Sequence, residues 1–177
     1  MMVMQLLQHS LMKNLQEHLE RNIIKTPEFE EGILYGGASG DPHFKTWARE
    51  HYDYHGLCDL VLLENHGFQD DLGIDIHIGT KKIVEWSYIS NAVLRIGEDT
   101  LEVMGGDNGG RYWVNGREGE NMPSTLSGYL VTFDRINENQ HKFTVYLDND
   151  EKIVLKTWND LVRVDVLGAK AENFQTS

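Results

Sequence analysis

The chain contains a single cysteine, Cys58, so no disulfide can form within it and no Cys-x-x-Cys zinc or redox motif exists. Cysteine usage therefore leaves the redox compartment open. Its 177 residues must be held by an apolar core rather than by covalent staples, and a chain of that length can bury one. Proline is scarce, with only Pro27, Pro42 and Pro123, which excludes a proline-rich low-complexity segment. Positive charge is scarce too: 16 Lys and Arg stand against 28 Asp and Glu, a formal net charge of −12. Nucleic acids and anionic membranes are bound by clustered Lys and Arg, so this balance argues against both as partners. No apolar run approaches the ~20 residues that a membrane-spanning helix needs. The Gly-x-Ser-x-Gly elbow and the His-Glu-x-x-His zinc motif are absent. The glycine-rich run GILYGGASG at 32–40 is followed by Asp41-Pro42 rather than by a Lys-Ser pair or a helix, so it is read as a flexible entry and not as a phosphate cradle.

What is present begins with a helical stripe. Leu7, Leu11, Leu15, Leu19 and Ile23 recur four apart, with polar residues on the other face, which predicts an amphipathic helix over 1–25. This segment lacks the basic start, unbroken apolar stretch and small-residue cleavage site of a signal peptide. Packing on the domain and pairing with a partner helix both remain open for it. Thr26-Pro27 ends the stripe, and an acidic, glycine-rich linker over 26–40 follows.

From 41 to 168 the period changes to two, and a polar tail closes the chain at 169–177. Leu72, Ile74, Ile76 and Ile78 share one face of a strand, with Asp75 and His77 on the other. Lys81-Lys82 is read as a turn, and 83–96 as a long stretch of strand formers bent near Ser90-Asn91. Turns are expected at Glu98-Asp99, at Asn115-Gly116 and over 148–150, with 105–110 a loop and 126–136, 142–147, 153–157 and 162–166 as strands. About ten short strands with no helical period between them predict an all-β antiparallel sandwich, preceded by the amphipathic helix.

The densest part is 40–65, GDPHFKTWAREHYDYHGLCDLVLLEN. Its pattern predicts a hairpin, 43–47 against 51–54, around Ala48-Arg49-Glu50, with Trp47 facing His51 and His43 facing His55. The apolar run Cys58 to Leu63 predicts a buried third strand, in which Cys58 reads as a buried free thiol. GDPHFKTW followed by HYDYHGLCDLVLL resembles the opening of a von Willebrand factor type D domain. The chain departs from that pattern in having Ala48-Arg49 where the family usually has a turn glycine, and in being poor in cysteine.

The resemblance implies a non-catalytic module of a secreted or cell-surface protein, engaged in adhesion or matrix assembly, with protein or glycan partners. It implies that the counterpart of Cys58 is disulfide-bonded, although here no second cysteine exists. It also implies that Asp41 is one half of a calcium site whose other half, an Asn- and Asp-rich loop, is expected beyond Ser177. Asp41 alone cannot supply the roughly six to eight oxygens that calcium takes, and a carboxylate capping the Asp41-Pro42 turn is the other reading.

Two further chemistries are open. His43 and His55 on facing strands, with His51, Asp41 and Asp53 nearby, would make a candidate transition-metal or hydrolytic centre if that register holds. Trp86, Trp113 and Trp158, with Tyr88 and Tyr112, would make a flat sugar-stacking face, although alternation predicts that most of them fill the core. The acidic loops at 105–110 and 148–151 read as a flexible connection and a hairpin turn.

Overall fold

Alternation sets the architecture. Ile74, Ile76 and Ile78 on one strand and Ala92, Leu94 and Ile96 on the next are each no more than 1% exposed, while His77 between them faces out. The computed structural model describes residues 34–39, 42–46, 50–83 and 86–168. The amphipathic helix expected over 1–25 and the tail over 169–177 lie outside the described residues, as does Asp41.

Fourteen strands occupy the described residues: β1 (Leu34–Ser39), β2 (His43–Lys45), β3 (His51–Asp53), β4 (Asp59–Asn65), β5 (Ile74–Ile83), β6 (Trp86–Ile96), β7 (Asp99–Met104), β8 (Arg111–Val114), β9 (Arg117–Glu118), β10 (Ser124–Leu126), β11 (Tyr129–Asn137), β12 (Gln140–Tyr146), β13 (Lys152–Trp158) and β14 (Leu161–Gly168). They form two antiparallel sheets, one of eight strands in the order β10-β11-β12-β13-β14-β1-β2-β3, the other of six in the order β4-β5-β6-β7-β8-β9. The inner faces share one core, with Leu94, Leu101 and Val103 from the smaller sheet and Phe143, Leu155 and Val164 from the larger. Each such side chain contributes about 1.5–3 kcal/mol by leaving water. The architecture is the all-β sandwich that the spacing predicts.

Several turns fall where turn chemistry puts them. Asn115 and Gly116 both have positive φ (50° and 74°), and Val114 pairs with Arg117 across them, which is the two-residue turn matched to strand twist. The bend near Ser90 is a β-bulge: Gly79 pairs with Asn91 and Thr80 with Ile89, leaving Ser90 as the extra residue.

Other expectations are corrected. The strand count exceeds ten partly because Ser127-Gly128, both at positive φ, splits the stretch 126–136 into β10 and β11. Lys81-Lys82 is not a turn; β5 runs through to Ile83, with Lys81 opposite Tyr88 and Lys82 opposite Ser87. The glycine-rich run is not a flexible entry, because 34–39 is β1, hydrogen-bonded to β14 on one side and β2 on the other. A Cβ on Gly37 would collide with the Val164 carbonyl oxygen, so this glycine reports close strand approach rather than mobility. Nor is 105–110 a loose connection. Gly109 is buried against the His141 ring and its carbonyl accepts a hydrogen bond from the Thr157 hydroxyl.

Candidate functional site

The site grows out of the first hairpin and the chain that leaves it. β2 and β3 are the last two strands of the larger sheet, paired His43 to Asp53, Phe44 to Tyr52 and Lys45 to His51. Thr46 and Glu50 close the hairpin: the Thr46 N–H donates to the Glu50 carbonyl (3.0 Å), and the Glu50 N–H donates to Thr46 Oγ1 (3.2 Å). The connection therefore comes one residue earlier than expected, because the threonine hydroxyl supplies a partner that a strand-propensity argument does not count. His43 consequently faces Asp53 and not His55.

That shift removes the facing pair on which the alternative metal centre depends. His43 Nδ1 lies 2.6 Å from Asp53 Oδ1, and the hydrogen bond from His43 holds the Asp53 carboxyl below its usual range, with desolvation opposing and the charges of His43, His55 and His51 adding. His55 leaves the hairpin and sets its ring edge-on to Trp86, centroids 5.5 Å apart. Among the described residues no three His, Cys, Asp or Glu side chains are gathered to hold an ion. Asp41, the expected half of a calcium site, lies outside the described residues.

The inner side of the same hairpin is apolar. Phe44 is buried in the core, and Tyr52, directly opposite, stacks on it at 4.8 Å with the rings 6° from parallel. Because no strand among the described residues lies beyond β3 in the sheet, Tyr52 remains 53% exposed. The connection 54–58 then crosses to the other sheet. The Tyr54 N–H donates to the Pro42 carbonyl (3.1 Å). Its ring closes over Gly56, where a Cβ would collide with it, and its hydroxyl meets Cys58 Sγ at 3.0 Å. That contact holds the Tyr54 hydroxyl pKa above its usual range. Thr80, at the bulge, pins the crossing: its hydroxyl donates to the Gly56 carbonyl (2.8 Å) and accepts from the Cys58 N–H (3.1 Å).

Two expectations about this segment change. Cys58 is not a buried hydrophobe inside an apolar strand; it is half-buried, capped by Tyr54, and precedes β4. And β4 is not a buried third strand of the hairpin. It is an edge strand of the smaller sheet, where Leu63 enters the core but Val61 is 54% exposed. A continuous apolar run predicts two covered faces, whereas a bulge at Leu62 lets an edge strand carry apolar residues on both sides. Leu57 on the connection (62% exposed) and Trp86 (48%) also stand in water.

The sugar-stacking face, the alternative to filling the core, does not assemble from Trp113 and Trp158, which lie on different sheets. Trp113 lies on β8 of the smaller sheet with the Arg111 guanidinium 4.9 Å above its ring, and Trp158 ends β13 of the larger sheet. Tyr112 points inward, its ring 5.0 Å from Phe143. Neither do these tryptophans fill the core, because Trp113 and Trp158 alternate with the inward Val114 and Thr157, which puts them on outer faces.

Sequence reasoning passed over one polar knot. Asp99 accepts the Ser127 N–H (2.6 Å) and the Asn115 side-chain amide (2.8 Å), while Asn115 Oδ1 accepts the Thr100 N–H (2.8 Å). The Ser127 N–H above all holds the Asp99 carboxyl below its usual range, against desolvation, with the Asn115 and Ser127 side chains adding. A cleft of about 310 Å³ opens beside it, lined by Val114, Asn115, Arg117, Glu120 and Ser124. The Asp99 and Asn115 side chains tie three turns together, and only the Asn-Gly pair signals this in sequence. No protein-family model and no curated protein sequence matches the chain.

Proposed function

We propose that the chain is a non-catalytic interaction module that meets other macromolecules along the rim made by β3, residues 54–58 and the start of β4. The observation that carries this reading is the exposure of Tyr52 on β3, Leu57 on the connection and Val61 on β4, with exposed Trp86 set against the His55 ring of that connection. Apolar surface left in water costs about 25 cal/mol per Å², and grouped residues of this kind mark contact surfaces. Tyrosine and tryptophan are the types that anchor interfaces. The rim is also pre-organised, since Thr80 clamps the crossing and little further ordering is needed on contact.

The module is placed in a secreted or cell-surface protein of the von Willebrand type D class, acting in adhesion or matrix assembly. Its support is the run GDPHFKTW and HYDYHGLCDLVLL. Calcium belongs to this reading only through Asp41. Calorimetric titration of calcium into this chain and into a C-terminally longer one addresses it, and equal binding by both would remove the idea of a divided site.

The rim is tested by a benzophenone photo-crosslinker placed at Leu57 and, separately, at Ile136 on β11, which is also more than half exposed, in an extracellular-matrix extract. The expected result is an adduct at 57 that unlabelled chain competes away, that a Tyr52→Ser, Leu57→Ser chain does not, and that is missing at 136. The same adduct from both positions, or full competition by the double variant, would overturn the assignment.

A further inference from the structure

Among the described residues the four edge strands of the sandwich are β3, β4, β9 and β10. Three of them are blunt, at three, two and three residues, which is how folds deny an edge to other chains. β4 is seven residues long. Its outward hydrogen-bonding groups follow from the ladder on its other side. The Thr80 N–H donates to the Cys58 carbonyl at 3.2 Å, so Cys58 turns its backbone toward β5. The antiparallel pattern alternates, and Asp59, opposite Gly79, and Val61, opposite His77, therefore turn their N–H and C=O groups to the open edge. Leu60 and Leu62 are only partly buried against the core at this border.

We infer that β4 accepts an extended segment of another protein as an added strand, and that this segment alternates apolar with basic residues. This rests on the rim reading above and names what the rim holds. The backbone of Asp59 and Val61 supplies the main-chain bonds, the half-covered Leu60 and Leu62 border the apolar side chains, and Asp59 selects a positive one. Charge sets the occupant. Asp59 and Glu64 lie on the strand and Asp70 and Asp71 follow it, all exposed, against Lys82 beyond its start. A second copy of the chain would bring the Asp59 end of one β4 against the Glu64 end of the other, in a molecule of net charge −12, and like charges brought together disfavour pairing.

The probe is a dye-labelled, end-blocked peptide, Lys-Val-Lys-Val-Lys-Val-Lys, matched to β4 in length and titrated with the full chain by fluorescence anisotropy. Its comparators are the Glu-Val counterpart and a Lys-Val peptide N-methylated on alternate residues. Val61→Pro removes one outward N–H without touching the ladder to β5, a substitution that edge strands tolerate, and its fold is checked by circular dichroism and melting. Asp59→Lys changes an exposed side chain. Saturable binding of the lysine peptide is expected, weakened about tenfold or more by Val61→Pro, by N-methylation and by added salt. Asp59→Lys should exchange the preference for the glutamate peptide. No saturable binding, equal binding of both charge types, or indifference to Val61→Pro overturns the inference. Binding that survives Val61→Pro but is lost in Tyr52→Ser, Leu57→Ser also overturns strand addition, while leaving the rim reading standing. A dimer in sedimentation that Val61→Pro abolishes makes the occupant a second copy and overturns the basic partner.

Discussion

His43 and Asp53 face each other across β2 and β3, with 2.6 Å between Nδ1 and Oδ1. The pair stands in water, both side chains more than half exposed, so it fixes how the hairpin titrates more than how firmly it folds. The Asp53 carboxyl is depressed in the folded chain. A depressed carboxylate contributes its stability above the unfolded value of about 3.9 and loses it as pH falls through the lower folded value. NMR titration should place the Asp53 midpoint below that of a free aspartate. His43→Gln should return it toward the ordinary value while barely moving the thermal midpoint. A midpoint unchanged by the substitution would mean that the pairing is not maintained in solution.

How much of this was legible depends on which force decided each element. Where alternation decided, as at Ile74, Ile76 and Ile78, the pattern gave the inward face directly. Where turn chemistry decided, Asn115-Gly116 was readable, but Ser127-Gly128 was masked by a run of strand formers on its C-terminal side. Where a single side chain decided, the sequence was mute. The Thr46 hydroxyl moved the hairpin by one residue and with it every facing pair of histidines. Placement at an edge is a property of topology, so the apolar run ending at Leu63 looked like a core strand until its neighbours were known.

Gly37 is held by space and Gly116 by angle, and the two should respond differently to alanine. A Cβ at Gly37 meets the Val164 carbonyl oxygen, which is backbone and cannot swing away, whereas at Gly116 no atom of the described residues lies within 4 Å. Gly37→Ala should therefore cost about 1–3 kcal/mol through forced separation of β1 and β14. Gly116→Ala, with φ at +74°, should cost about 1 kcal/mol from the left-handed backbone alone. Urea unfolding of both variants compares them. A Gly37→Ala chain as stable as the parent would show that β1 is not so tightly seated.

Asp99 gathers donors from two other turns, and its folded pKa is depressed. Its stabilisation is thus complete above the unfolded value of about 3.9 and is lost as pH drops through the lower folded one. Asp99→Ala leaves the Ser127 N–H and the Asn115 amide without their acceptor. Since the site is partly solvated, the cost should be about 1 kcal/mol rather than the full charged-hydrogen-bond value. The loss should shrink below about pH 4, where the Asp99 carboxyl of the unfolded parent takes up a proton while the folded one still holds its charge. Unfolding midpoints of parent and variant across that range check it; a difference that stays constant with pH would remove Asp99 from the acid response.

On the larger sheet, Asp165 is 3% exposed between Arg163 Nε at 2.7 Å and Lys156 Nζ at 3.3 Å. Asp165→Leu keeps the branched outline of the side chain, with added bulk, but leaves two cations beside each other without that carboxylate. Breaking a fully buried pair from one side costs about 3–5 kcal/mol. Lys156 is about one-third exposed and can turn to water, so a loss of about 2 kcal/mol is expected, carried mainly by Arg163. Adding Arg163→Met and Lys156→Met to Asp165→Leu should restore most of the loss, because an apolar trio pays no desolvation. Thermal melts of the single and triple variants decide it. A triple variant weaker than the single one would mean that the cations stabilise the fold even without Asp165.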